Sequence, residues 1–122
     1  MTRHVLDEQH IHPAVRERVS RHHREVVEEV QSAVAANDVV LVGMRGNPFV
    51  RKARALLDGA GVRHRYLEYG SSFSGWRLRN ALKMWCGWPT FPMAFVKGVL
   101  VGGHDELKRL HESGELVRML EG

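Results

Sequence analysis

The stretch that most constrains the fold runs from Trp88 to Asp105 and has the sequence WPTFPMAFVKGVLVGGHD. It has the pattern of a β-hairpin, with an apolar run over 93–97, a turn at Gly98 and a return run over 99–101. Proline fixes φ and donates no backbone hydrogen bond, so Pro92 belongs at the first position of a strand and is a candidate for a cis peptide bond. The glycine pair after the second strand lets a ligand approach the backbone just before a helix begins.

Length and composition indicate one soluble globular domain. The 122 residues are enough for a single hydrophobic core. No apolar run approaches a membrane span and the N-terminus lacks a signal-peptide core, so we expect a cytoplasmic protein with no membrane partner. The single cysteine, Cys86, excludes an intrachain disulfide and fits a reducing compartment.

The basic balance of the chain does not by itself indicate nucleic acid as a partner. The sequence has 18 Lys and Arg against 14 Asp and Glu, a net charge of +4. A basic balance attracts nucleic acid or anionic metabolites, but the aromatic residues do not interleave with the basic ones. We therefore interpret the charge as a solvated basic surface.

Hydrophobic periodicity divides the chain into alternating helices and strands. The predicted elements are a helix over 13–35, a strand over 39–42, a helix over 47–58, a strand over 62–69, a helix over 76–85, the two hairpin strands, and a last helix over 105–110 that continues over 115–120. In the helix over 76–85, we expect Trp76, Leu78, Leu82 and Trp85 to face inward. This order implies a small mixed sheet with helices on both faces.

The hairpin and the segment after it resemble a known family. TFPMAFVKGVLVGGHDELKRLHESGEL is similar to the C-terminal half of a glutaredoxin, and Trp88-Pro89-Thr90 resembles the monothiol, CGFS-type branch. The resemblance implies an α/β, thioredoxin-like (glutaredoxin) fold with a four-stranded mixed sheet over 37–122, preceded by an N-terminal arm and helix over 1–36. It further implies glutathione as the ligand and a part in cell redox homeostasis.

The same resemblance locates the reactive position, and the residue there is not a cysteine. VVLVGMRGNPFVRKARALL is similar to the family's first strand, loop and helix, which puts Asn47 in the place of the nucleophilic cysteine and Val50 in that of the second one. An amide cannot attack a disulfide or replace a thiolate ligand of an iron–sulfur cluster. We therefore expect no catalysis of the usual kind and no iron–sulfur cluster, with Asn47 serving as the N-cap of the helix.

The frame that binds glutathione in the family is better retained. Arg45 and Arg79 match residues that pair with the glycyl carboxylate, the segment at Thr90 matches the backbone that pairs with the tripeptide, and the turn before Asp105 matches the one that holds the γ-glutamyl end. The ligand residues that the resemblance implies are Arg45, Asn47, Phe49, Arg79, Thr90, Phe91, Pro92, Gly103, His104 and Asp105. Plain alternatives stay open, namely surface charges for the two arginines and a helix cap for Asp105.

The remaining sulfur and the N-terminal histidines support no site of their own. Cys86 ends a helix, where the dipole disfavours a thiolate, so we expect a half-buried, unreactive thiol, with glutathionylation as the alternative. His10, His12 and the adjacent pair His22-His23 suggest a metal, but neighbouring side chains on a helix diverge by about 100°. No cysteine or spaced carboxylate completes a tetrahedral set, and we predict no metal site.

Three functions are compatible with these features. The first is a binding module for glutathione, or for a thiol-containing peptide or protein, that does not turn over disulfides. The second is a glutathione-dependent thiol–disulfide oxidoreductase with residual activity through Cys86 or through bound glutathione. The third is an interaction protein that docks or forms a homodimer through its N-terminal helix. The absent nucleophile favours the first.

Overall fold

The structure, a computed structural model, describes the backbone of residues 12–122 and the side chains of 12, 13, 15 and 24–122. His10 and the side chains of His22 and His23 lie outside the described part. The elements in chain order are α1 (Pro13–Ala36), β1 (Val39–Gly43), α2 (Pro48–Gly59), β2 (Arg65–Glu68), α3 (Trp76–Cys86), β3 (Met93–Val96), β4 (Val99–Gly102), α4 (His104–Glu112) and α5 (Glu115–Glu121). None of the described helices is both long enough and apolar enough to cross a membrane.

The four strands form one mixed sheet, as predicted, and their order in it is β2-β1-β3-β4. β1 is parallel to β2, whereas the β1–β3 and β3–β4 pairs are antiparallel. β2 is shorter than the predicted strand over 62–69. The reason is that the Val62 N–H donates to the Leu57 carbonyl at 2.9 Å, so the chain before Arg65 closes the end of α2 and does not pair with β1.

The two central strands, β1 and β3, are buried on both faces and divide the core into two layers. Because successive side chains of a strand point to opposite faces, Val40 and Val42 pack with α1 and α3, while Val39 and Leu41 pack with α2, α4 and α5. Full burial of such a side chain contributes about 1.5–3 kcal/mol. The continuous apolar run of β1 is thus that of a central strand, which confirms the prediction. The boundary drawn at residue 36 stays a prediction.

The orientation of α3 differs from the one expected. Trp76 is 58% exposed and Leu78 is 37% exposed, so their predicted inward positions are wrong. Leu82 is fully buried as predicted, and Trp85 is half-buried and stacks on Phe95 with ring centroids 5.9 Å apart. In place of Trp76 and Leu78, the inner face of α3 carries Arg79, which is buried although it is charged.

Both tyrosines of the chain donate their hydroxyl to a glutamate. The Tyr69 hydroxyl donates to Glu29 and joins the segment after β2 to α1, and the Tyr66 hydroxyl donates to Glu68 at 3.0 Å. Burial, and then the hydrogen bond to the neighbouring carboxylate, raise the pKa of each tyrosine above its ordinary value of 10.0. The folded state therefore holds both phenolic protons more tightly than the unfolded state does.

This difference predicts a loss of stability at alkaline pH. The stabilisation by a group with a raised pKa is complete below its unfolded pKa, about 10, and is lost as the pH rises through the folded value. We expect the free energy of unfolding to fall above about pH 10, and to fall less steeply in Tyr69→Phe. Urea denaturation of both proteins at a series of pH values measures this pH dependence. Identical pH dependence in the two proteins would contradict the assignment.

Candidate ligand-binding site

A cavity of about 260 Å³ lies where the start of α2, the loop before β3 and the start of α4 come together. These three segments meet because β1 and β3 are antiparallel, so that the end of β1 and the beginning of β3 lie at the same edge of the sheet. The residues that line the cavity are Phe49, Trp88, Thr90, Phe91, Pro92, Gly103, His104, Asp105 and Glu106.

Seven of the ten ligand residues implied by the family resemblance line this cavity. The three that do not are Arg45, Asn47 and Arg79. Two lining residues were not among the predicted ones, Trp88 and Glu106. In the sequence, Trp88 is distinguished only as part of the motif of the family branch. Glu106 stands three residues after Gly103, the spacing of a capping box, and that pattern could have pointed to it.

One wall of the cavity is the segment before β3. The Phe91–Pro92 peptide bond is cis, as the sequence suggested. Phe91 is only 7% exposed, and the Lys83 ammonium lies 5.7 Å from the centre of its ring. Thr90 lines the cavity and is exposed. This wall thus combines an exposed polar residue with an aromatic side chain.

The opposite wall is the beginning of α4. Gly103 is the N-cap of α4, and its N–H donates at 2.9 Å to the carboxylate of Glu106, the third residue of the helix. The alternative reading of Asp105 as the cap is therefore wrong. Asp105 is exposed, and its carboxylate lies 3.1 Å from Nδ1 of His104. An exposed carboxylate beside a helix start suits the end of an amino acid, because the carboxylate can accept from an ammonium group while the N–H groups donate to a carboxylate.

Asn47 is the N-cap of α2, as predicted. Its side-chain oxygen accepts hydrogen bonds from the backbone N–H of Phe49 at 2.8 Å and of Val50 at 3.2 Å, and Pro48 takes the first helical position. Two of the N–H groups that a helix start leaves unpaired are thus satisfied by the amide. Arg45 lies on the exposed loop before it, with its backbone N–H donating to the Gly70 carbonyl at 2.8 Å.

Arg79 is 8% exposed and organises a loop. Its Nη1 donates to the carbonyl of Tyr69 at 2.9 Å and to that of Ser74 at 2.6 Å, which closes the loop between β2 and α3. The guanidinium thereby donates to two loop carbonyls, of which that of Ser74 also accepts the Ser71 N–H at 3.0 Å. Its predicted contact with a glycyl carboxylate stays a prediction.

Cys86 lies at the end of α3 and is half-buried, as predicted. Its Sγ is 3.6 Å from the Sδ of Met93, and it does not line the cavity. Among the side chains that the structure describes, no three His, Cys, Asp or Glu residues are close enough together to hold a metal ion.

No family model matches the chain, but related proteins and similar structures are found. A glutaredoxin-like protein of Dictyostelium discoideum is 45% identical over 95 residues, which are 77% of this chain and 77% of that protein. "Probable monothiol glutaredoxin 2" of Rickettsia felis is 37% identical over 101 residues, or 78% of this chain and 93% of the relative. The crystal structure of a buckwheat glutaredoxin–glutathione complex has a TM-score of 0.74 at 27% identity and covers 83% of this chain and 92% of that chain.

The cap at Asn47 predicts a specific order of stabilities. Asn47→Ala removes the acceptor of two backbone N–H groups and should lower the free energy of unfolding by about 1 kcal/mol. Asn47→Asp retains an acceptor and places a negative charge at the helix start, so it should be at least as stable as the parent protein. Urea denaturation followed by circular dichroism measures both, with Asn80→Ala on the exposed face of α3 as the control. Equal stability of the alanine and aspartate variants would contradict the cap.

The buried guanidinium predicts a larger effect. Arg79→Met removes both hydrogen bonds, which leaves the Tyr69 carbonyl without this donor and the Ser74 carbonyl with the Ser71 N–H alone, so unfolding should become about 2–3 kcal/mol easier. The matched control is Arg77→Met, because Arg77 is exposed on the same helix and should change stability by less than about 0.5 kcal/mol. Denaturation curves of the two variants that coincide would rule out the structural role of Arg79.

Proposed function

Because the chain belongs to the glutaredoxin family and has its thioredoxin-like fold, we propose that it binds glutathione, or a related thiol peptide, without turning over disulfides. The observation that carries the proposal is the contrast within one site. Seven predicted groove residues line a single cavity, while the N-cap of the helix beside it is an amide and not a sulfur.

The chemistry of the cavity suits a γ-glutamyl tripeptide. Glutathione has an amino-acid end, a central thiol-bearing residue and a terminal carboxylate. The carboxylate of Asp105 and the N–H groups at the start of α4 are complementary to the amino-acid end. The exposed backbone at Thr90 is available for pairing with the extended centre of the ligand. The relative of known complex structure, a buckwheat glutaredoxin, binds glutathione, which supports the same ligand for this chain.

The absence of turnover follows from the alignment of Asn47 with the family's nucleophile. Thiol–disulfide exchange needs a thiolate that attacks one sulfur and expels another, and a carboxamide supplies no such electron pair. The same substitution removes the protein thiolate that a shared iron–sulfur cluster would need. Cys86 does not replace it, because it lies outside the cavity with its sulfur against Met93.

The proposal predicts a gain of function from one substitution. Asn47→Cys should acquire the ability to reduce a glutathione mixed disulfide in a coupled assay, because it restores a thiol at a helix N-terminus beside the groove. The parent protein and Cys86→Ser should both stay at the background rate. Calorimetry should detect binding of reduced glutathione at millimolar concentration to the parent protein.

Two results would overturn this function. Robust turnover by the parent protein that is lost in Cys86→Ser would show an oxidoreductase that works through the other sulfur. No heat of binding with reduced or oxidised glutathione would exclude the ligand. Turnover that survives in Cys86→Ser would indicate chemistry through glutathione itself, and it would contradict the non-catalytic part of the proposal.

A further inference from the structure

The indole nitrogen of Trp88 is a buried hydrogen-bond donor with no acceptor. Within the part of the chain that the structure describes, it is the only buried side-chain nitrogen or oxygen in this condition. The residue lines the cavity and is itself half-buried. An unpaired donor in a buried position is destabilising, and most buried donors in proteins therefore have an acceptor.

Gly103 lies close to this donor. A Cβ atom at position 103 would lie 3.6 Å from Nε1 of Trp88, 3.3 Å from the carbonyl oxygen of Pro92 and 3.5 Å from Oε1 of Glu106. A side chain there would therefore pack against the indole and press on the Pro92 carbonyl. The glycine thus lets the loop before β3 and the start of α4 approach each other closely beside the indole nitrogen.

The nearby carboxylate does not satisfy the indole. Oε1 of Glu106 accepts the Gly103 N–H at 2.9 Å and so caps α4. The carboxylate of Asp105 is exposed and lies beside His104. The described residues therefore offer Trp88 no acceptor.

We propose that Trp88 is a ligand-binding residue whose indole N–H donates to a carboxylate or carbonyl oxygen at the γ-glutamyl end of bound glutathione. This inference rests on the proposed function and extends it to Trp88, which is not one of the ten predicted ligand residues. We assign the γ-glutamyl end because Trp88 lies beside Gly103, directly before α4. The first N–H groups of α4 and the carboxylate of Asp105 suit an amino-acid group.

The arrangement makes Trp88 a determinant of specificity. A site with a buried donor discriminates against a ligand that lacks the matching acceptor, because the donor then stays unpaired in the complex. Glutathione carries oxygens at its γ-glutamyl end, whereas the dipeptide cysteinylglycine lacks that end. The two ligands share the thiol and the terminal carboxylate, so their difference in affinity reports on this region of the cavity.

The first test is calorimetry with reduced glutathione. Trp88→Phe keeps an aromatic ring but has no N–H, and we expect its affinity to fall about tenfold. Trp85→Phe is the matched control, since Trp85 packs on Phe95 away from the cavity, and its affinity should be unchanged. Cysteinylglycine should bind more weakly than glutathione to the parent protein, and this difference should shrink in Trp88→Phe.

The second test follows the proton itself and needs no variant to bind. The three tryptophans give three indole resonances in a ¹⁵N-labelled sample, and single Trp→Phe substitutions assign them. On saturation with glutathione, the Trp88 indole proton should move downfield, while those of Trp76 and Trp85 should stay in place.

The outcomes separate the two proposals. If the parent protein binds glutathione with no shift of the Trp88 indole and with unchanged affinity in Trp88→Phe, the role of Trp88 is overturned and the proposed function stands. If the parent protein does not bind glutathione, both fall. If Trp88→Phe does not fold, the indole shift in the parent protein decides alone, because its absence on saturation would overturn the role of Trp88.

Discussion

The antiparallel pairing of β1 with β3 is the interaction on which the site depends. The pairing sets Val42 opposite Met93, so the end of one strand and the beginning of the other share an edge. Asn47 follows the first of these strands and Pro92 precedes the second. A helix start and a proline-bearing loop, about 45 residues apart in sequence, are thereby held next to each other by backbone hydrogen bonds in a strand pair that water does not reach.

The core explains why this arrangement is rigid. Both strands are buried on both faces, between α1 and α3 on one side and α2, α4 and α5 on the other. A slip of the register by one residue would exchange the two faces of each strand, and every packed valine would meet the wrong layer. The segments that follow β1 and precede β3 line the cavity. The core that fixes the register of these strands therefore also fixes the positions of α2 and α4 relative to each other.

The parts of the fold that sequence predicts well are those with local signals. The hairpin, the asparagine cap and the apolar run of β1 depend on neighbouring residues alone. The predicted faces of α3 failed at Trp76 and Leu78 because periodicity treats a charged residue as exposed. Arg79 is instead buried, since its guanidinium pairs the carbonyls of a loop that the sequence does not reveal. The same limitation applies to Trp88, because a large aromatic side chain is expected in the core, and only the structure places this one against the cavity.

The amide at the N-cap changes the electrostatics of the site as well as its chemistry. A helix start lowers the pKa of a thiol because its unpaired N–H groups and its dipole stabilise the thiolate. In this chain, the Asn47 oxygen accepts hydrogen bonds from two of these N–H groups. The N–H groups that would stabilise a thiolate therefore stabilise the helix start. At the start of α4, the Glu106 carboxylate accepts the Gly103 N–H. On the proposed alignment, the position of the reactive sulfur is thus occupied by a helix cap, while the start of α4 lines the cavity in which we propose that a ligand binds.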